Sequence, residues 1–206
     1  MKFIRKLPET DPKLSEKLCE NGWKKLKEPR NTTSAILFSL PLMFLLGGIS
    51  LFFSYLLDPS LFLFLGRDTL RFTIRLNGIT MINIAFLFVF LALHEFLHAL
   101  FIPGFSKSDQ VFWGFNGLFA FVFTTQPIKR ERFLLISMMP YLLLSIALPV
   151  LLHLFHLLNG YLAFLCLFNA MGSSVDILNS GLVLFQVPKG QDIISNGSQT
   201  FYTTTK

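Results

Sequence analysis

Long apolar stretches are the feature that most constrains how this chain can fold. Residues 34–57 are almost entirely apolar, and no charged side chain appears among them before Asp58. About 20 apolar residues cross a bilayer as one helix, so we predict a first membrane span here. Composition agrees, because only 15% of the residues are charged, whereas a soluble domain carries about 25%.

Three further apolar stretches follow, and turn residues separate them. We predict a second span at 79–102, a third at 133–158 and a fourth at 161–185. Pro103-Gly104 ends the second span, and Asn159-Gly160 makes a tight turn between the third and the fourth. The chain is therefore predicted to be an all-α multi-pass membrane protein with about four transmembrane helices.

Two connecting segments are less regular. Residues 59–78 contain an apolar run that is too short to cross a membrane, and three arginines at helical spacing follow it. An interfacial, a re-entrant and a spanning element therefore all remain open. Residues 105–132 hold two β-rich runs around a turn at 114–117, which predicts a β-hairpin between spans two and three. Its apolar composition predicts that the hairpin is membrane-associated. The arginines of the first segment are Arg67, Arg71 and Arg75.

The positive charge is concentrated at the start of the chain, where nine of the 18 basic residues precede position 31. Basic residues beside apolar spans mark the cytosolic side, and this distribution argues against a nucleic-acid surface. We predict a cytosolic basic arm at 1–33 with a short helix near 11–27, a membrane-embedded domain at 34–186 and a cytosolic tail at 187–206. Both termini are thus expected on the cytosolic face of a bacterial cytoplasmic membrane.

The second span carries the sequence His94-Glu95-Phe96-Leu97-His98. Two histidines four residues apart lie on one helix face and can reach one zinc ion. Glu95 can then take a proton from a zinc-bound water. Three ionisable residues within a membrane span are unfavourable unless they are paired, metal-bound or facing water. We therefore predict a Zn²⁺ site, and a polar helix–helix contact is the alternative.

A catalytic zinc needs a third protein ligand and an open position. His94 lies 15 residues into the second span, or about 22 Å from its outer end, and Asp176 lies at about 24 Å in the fourth span. Depth therefore favours Asp176 as the third ligand. His153 and His156 fall near the opposite membrane surface on the same count, so we expect them to be interfacial.

The fourth span also carries a polar stripe at helical spacing. One interpretation is packing between helices, which Gly172 would permit. Others are that Asn169 and Ser173 orient the aspartate from behind, or that Asn169 donates to the tetrahedral oxyanion. The stripe consists of Asn169, Ser173, Asp176 and Ser180.

These motifs together resemble the site-2-protease class of intramembrane zinc metallopeptidases, and more closely a family of small bacterial membrane proteins described as zincin peptidases. The resemblance spans about residues 80–200 and rests on three segments. In the site-2 class the third zinc ligand is an aspartate of a later span, which corresponds here to Asp176, although Ile177 follows it in place of glycine. The segments are His94 to Leu100, Asn169 to Ile177, and Val187 to Gly190.

The leading hypothesis is hydrolysis of peptide bonds in membrane-protein or peptide substrates, in contact with the lipid bilayer. The hairpin is a candidate for binding an unwound substrate as an added strand, with Trp113, Phe115 and Asn116 as its candidate contacts. The alternative is a non-catalytic membrane scaffold or a component of metal or proton transport. The natural substrate and the oligomeric state stay open.

Overall fold

The computed structural model describes residues 1–66, 77–115 and 120–204. In this part of the chain helices predominate and short strands connect them. The helices are α1 (Pro12–Glu20), α2 (Thr32–Leu57), α3 (Gly78–Phe101), α4 (Arg130–Pro140), α5 (Leu148–Leu154), α6 (Gly160–Gly172) and α7 (Ser174–Gln186). The strands are β1 (Lys2–Ile4), β2 (Trp23–Lys25), β3 (Val111–Phe115), β4 (Ala120–Thr124), β5 (Ile128–Lys129), β6 (Asp192–Asn196) and β7 (Gln199–Thr203).

Four helical segments within the described residues are long and apolar enough to cross a membrane. The first two are α2 and α3. The third runs over Arg130–Leu154, and the fourth runs over Gly160–Gln186. The predicted number of spans is thus confirmed, and each predicted boundary lies within four residues of the observed one.

Asparagine side chains start three of the spans. The Asn31 side chain accepts from the Ser34 N–H at 2.8 Å, and the Ser34 hydroxyl accepts from the Asn31 N–H. Asn77 and Asn159 accept from the first-turn N–H groups of α3 and α6 in the same way. Such caps satisfy backbone donors that have no partner inside the helix.

The third span is not one regular helix. A π-helical stretch, Tyr141–Ala147, separates α4 from α5, and prolines stand at 140 and 149 on either side of it. Proline has no N–H, so the carbonyl four residues earlier loses its helical partner. Pro140 in this way releases the carbonyl of Ile136, which becomes available to a neighbouring helix.

The fourth span is interrupted at Ser173. Both the N–H and the hydroxyl of Ser173 donate to the Asn169 carbonyl, each at 2.9 Å. The N–H bond is the regular helical one, and the hydroxyl adds a second donor to the same carbonyl. The span divides at this residue into α6 and α7, and Asp176 falls in the first turn of α7.

Two small sheets lie at the ends of the spans. The first has the order β1-β3-β4, with β1 parallel to β3 and β4 antiparallel to it. The second has the order β2-β7-β6-β5 and is antiparallel throughout. The antiparallel β3–β4 pair occupies the segment where a hairpin was predicted, whereas its placement relative to the bilayer stays a prediction.

The arm and the tail contribute strands that sequence reasoning missed. β1 of the arm pairs with β3, and β2 of the arm pairs with β7 of the tail. The predicted helix near 11–27 is shorter than expected, because α1 ends at Glu20 and β2 follows it. The all-α class therefore needs correction to a mainly helical membrane protein with two small sheets.

Apolar packing joins these elements around the C-terminal half of α3. One buried cluster links α3 to the third and fourth spans through Phe90, Leu97, Leu144 and Leu165. A second links the end of α3 to both sheets and to α4 through Ile102, Val111, Ile128 and Ile136. Large apolar side chains outside these clusters, such as Phe44 and Phe52 of α2, are exposed, as expected for a lipid-facing surface.

The segment before α3 is only partly described. Pro59–Gly66 forms a 3₁₀ helix directly after α2. Arg67, Arg71 and Arg75, on which the interfacial or re-entrant alternatives depended, lie outside the described residues.

Candidate metal centre

His94 and His98 project from one face of α3, one helical turn apart. Their Nε2 atoms lie 3.2 Å from each other. Asp176 reaches the same point from α7, and its Oδ2 atom lies 3.4 Å from His94 Nε2 and 3.5 Å from His98 Nε2. The three residues matched by depth in the sequence are therefore brought together at one point in the fold.

These three atoms fit the ligand set of a zinc ion. Zinc binds imidazole nitrogen and carboxylate oxygen at about 2.0–2.2 Å in tetrahedral geometry, so neighbouring ligand atoms lie about 3.3–3.5 Å apart. All three edges of the observed triangle are close to this spacing. The side chains are also largely withdrawn from solvent, with 12%, 13% and 25% exposed for His94, His98 and Asp176.

Asn169 holds His94 from behind. Its Oδ1 atom lies 2.8 Å from His94 Nδ1. Its Nδ2 atom donates to the Ser145 hydroxyl at 2.8 Å and to the Pro140 carbonyl at 3.2 Å. Since the amide nitrogen is directed at these two acceptors, the amide oxygen must accept from His94. The proton of His94 is thus on Nδ1, and the lone pair of Nε2 points toward Asp176.

His98 is oriented by a backbone carbonyl. Its Nδ1 atom lies 2.9 Å from the Ile136 carbonyl oxygen, which is the carbonyl that Pro140 releases. A carbonyl can only accept, so His98 also carries its proton on Nδ1 and directs the Nε2 lone pair at the triangle. Sequence reasoning missed Ile136, although a proline inside an apolar span was a signal for a freed carbonyl.

Ser173 contacts Asn169, the residue that holds His94. It is fully buried, and its hydroxyl is bonded to the Asn169 carbonyl. It therefore shapes the helix break between Asn169 and Asp176, and its contacts are with the backbone of the site.

Glu95 borders a cavity of about 290 Å³ together with His98 and Asp176. The Val122 N–H of β4 faces its carboxylate. The remaining wall comes from both sheets and from the start of α4. It includes Phe121, Val122, Phe123, Thr124, Gln126, Ile128, Phe133, Ile136, Ser137, Ile193 and Ser195.

Those residues predicted to contact substrate from the hairpin that the structure describes do not lie in the cavity wall. Trp113 packs edge-to-face on Phe3 of β1, with ring centroids 5.0 Å apart, and Phe115 is half exposed. Neither residue lines the cavity, because the residues of the β3–β4 pair that line it belong to β4. Asn116 lies outside the described residues.

His153 and His156 do not belong to the metal-ligand cluster of the described residues. His153 lies instead near Asp58, at the far end of α2. The pKa of Asp58 is lowered because the Ser60 hydroxyl and N–H donate to its carboxylate, and His153 adds a smaller electrostatic attraction. The location of both histidines near the opposite membrane surface stays a prediction.

The fold and the site define a protein with four helices able to span a membrane and a two-histidine, one-aspartate candidate metal centre beside a glutamate. Residues 87–191, about half of the chain, match the model of the family described as "Putative zincin peptidase". The chain belongs to this family, and the matched segment contains every residue of the centre. No match to the chain is found among curated proteins, and none among solved structures.

Proposed function

We propose that this protein is a membrane-embedded zinc metallopeptidase that hydrolyses peptide bonds of membrane-protein or peptide substrates. The observation that carries the proposal is the triangle of His94, His98 and Asp176 ligand atoms, at the spacing a zinc ion requires, beside the Glu95 carboxylate. Membership of the zincin peptidase family and the four apolar spans support it.

Each residue of the centre has a role in this reaction. His94, His98 and Asp176 would hold the zinc, which would polarise the scissile carbonyl and make a water acidic enough to supply hydroxide near neutral pH. Glu95 takes the proton of that water and returns it to the leaving amine. Its carboxylate borders the same cavity as His98 and Asp176, so no other base needs to reach the site.

Asn169 is proposed to position His94 rather than to stabilise the oxyanion. An oxyanion donor needs a free N–H, whereas the Asn169 amide nitrogen already donates to Ser145 and Pro140. Metal-bound histidines in proteins usually donate their second N–H to such an acceptor, which fixes the ring. Ser173 supports this arrangement through the Asn169 carbonyl.

The substrate is proposed to enter in extended form along β4. A helical substrate keeps its peptide bonds in internal hydrogen bonds, so it must unwind before the carbonyl can be attacked. β4 lines the cavity and is an edge strand of its sheet, and an edge strand can pair with an added peptide. Trp113 and Phe115 lie on the neighbouring strand, and a substrate contact by Asn116 stays a prediction.

Both termini are proposed to face the cytosol of a bacterial cell. The β2–β7 pairing places the arm and the tail together, which supports their being on one side of the membrane. The nine basic residues at the start of the chain assign that side to the cytosol.

Two variants test the peptidase. Glu95→Gln should keep about one zinc per chain, measured by metal analysis after gentle extraction, and should lose cleavage in a comparison of membrane peptides by mass spectrometry. His94→Ala should lose both the metal and the cleavage. An unchanged set of cleaved peptides in Glu95→Gln would refute the peptidase, and a metal-free wild-type protein would favour the scaffold or transport alternative.

A further inference from the structure

The free edge of β4 follows from its hydrogen-bond pattern. In an antiparallel pair, every second residue bonds to the partner strand and the residues between point away. The Thr125 N–H donates to the Gln110 carbonyl at 3.1 Å, one step beyond the β3–β4 register. Phe123 therefore also bonds to β3, and the backbone groups of Val122 and Thr124 point to the opposite edge.

A second free edge belongs to β6 in the tail. The Arg130 N–H donates to the Gln191 carbonyl at 2.9 Å, so the opposed residues Ile128 and Ile193 also exchange hydrogen bonds. The backbone groups of Ser195 point to the same edge, but β5 has only two residues and begins at Ile128. In the described residues, the β6 edge thus continues past its partner strand.

The two edges border the same cavity. Val122 and Thr124 line it from β4, and Ser195 lines it from β6, and Glu95 and Asp176 belong to the same lining. β4 leads into β5 through residues 125–127, and β5 pairs with β6. The two edges are therefore linked through β5, and both border the cavity beside the candidate metal centre.

We propose that the tail hairpin β6–β7 forms the second wall of the substrate site, and that an extended peptide inserts between β4 and β6. The proposal rests on the peptidase function. The peptide bonds to the Val122 carbonyl and to the backbone groups of Thr124 on one side and to Ser195 on the other, while the Val122 N–H keeps facing Glu95.

The arm holds this second wall in place. Asn196, at the end of β6, accepts from the Asp11 N–H and donates to the Asp11 carbonyl and the Ser15 hydroxyl. Gly197 lies against the backbone of Thr10, so closely that a Cβ at 197 would be 2.5 Å from the Thr10 nitrogen. β6 and β7 lie outside the residues matched by the family model.

The test measures the binding of two zinc-directed probes to the zinc-loaded protein in detergent by calorimetry. Acetohydroxamate is too small to touch either wall, whereas a leucine tripeptide hydroxamate is long enough to reach both. Ser195→Pro removes the N–H that faces the cavity without breaking a bond to β7. Lys25→Pro is the matched control, since Lys25 also has an outward N–H on an edge of this sheet, away from the cavity.

Ser195→Pro should weaken the tripeptide probe about threefold to tenfold, the effect of one hydrogen bond, and leave acetohydroxamate unchanged. Lys25→Pro should change neither. Equal affinity of the tripeptide probe for wild type and Ser195→Pro would overturn the second wall while leaving the peptidase intact. Failure of acetohydroxamate to bind the wild type would instead reject the zinc peptidase itself.

N-methylated tripeptide probes give an independent measurement on the unaltered protein. Consecutive amides of a strand point to opposite edges, so binding between two walls predicts a loss of affinity for methyl groups at consecutive positions. Binding to β4 alone predicts losses only at alternate positions, and that pattern would overturn the proposal even if Ser195→Pro failed to fold.

Discussion

The Nδ1 atom of His98 lies 2.9 Å from the Ile136 carbonyl oxygen, and this carbonyl is free because Pro140 stands four residues later. A proline in the third span thus orients the ring of a candidate metal ligand in the second. The relationship connects a backbone irregularity to the chemistry of the site, because the other ring nitrogen is left to face Asp176.

Pro140→Ala should weaken zinc binding about tenfold. The new N–H can bond to the Ile136 carbonyl within the helix, so His98 loses its acceptor and its fixed orientation. Zinc affinity is measured by competition with a fluorescent chelator. Pro41→Ala, which replaces a proline inside α2, is the control. Equal affinities in the two variants would contradict the role of the freed carbonyl.

Asn169→Ala should lower zinc affinity about 10–100-fold, the usual effect of removing a partner of a metal-bound histidine. The substitution leaves His94 Nδ1 and the Ser145 hydroxyl without their amide partner. Ser174→Ala, a buried serine that bonds to Ser39 instead, should keep the wild-type affinity in the same chelator assay. A pure packing role for Asn169 would lower the melting temperature and leave zinc affinity unchanged.

Gly114→Ala should detach β1 from the sheet. A Cβ at 114 would lie 2.1 Å from the Ile4 carbonyl and 2.5 Å from the Phe121 ring, so the strands cannot keep their spacing. Limited proteolysis should cut the first residues of the variant much faster than those of the wild type. Gly48→Ala, with no atom within 4 Å of the added Cβ, should be cut at the wild-type rate.

Glu28 makes folding of the arm sensitive to pH. Burial raises the pKa of its carboxyl above the ordinary value, against the lowering effect of the Thr200 N–H that donates to it at 2.6 Å. A raised folded-state pKa gives stability that is present at acidic pH and lost as pH rises through that pKa. Glu28 should therefore contribute more to the melting temperature of the protein at pH 5 than at pH 8.

Glu28→Gln isolates this effect. Glutamine keeps an oxygen for the Thr200 N–H but carries no charge. The variant should therefore melt at a higher temperature than the wild type, and this difference should be larger at pH 8 than at pH 5. Glu20→Gln, at an exposed position, controls for net charge. A pH-independent difference between Glu28→Gln and the wild type would refute the assignment.

The apolar helices and the residues of the candidate metal centre could be predicted because their signals are local. An apolar stretch of membrane length can satisfy its backbone only as a helix, and the spacing of His94 and His98 places both on one helix face. Depth then identified Asp176, since the rise per residue of a helix is constant. The same count separated His153 from the centre.

The strands of the arm and the tail could not be predicted in this way. β1 and β2 have three residues each, and polar segments of that length carry no distinct period. They become strands only because β3 and β7, more than 100 residues away in the chain, offer edges to pair with. Short strands are determined by such tertiary partners more than by their own composition.

The amino-acid sequence by itself determined that this protein spans a membrane and carries two histidines, a glutamate and an aspartate at matching depth. The tertiary structure alone decided how those ligands are oriented and what borders them. The Ile136 carbonyl, the Asn169 amide and the edge of β6 reach the site from separate elements, and their positions depend on how the helices and sheets pack. Periodicity and spacing describe one element at a time, so they carry no record of contacts between elements.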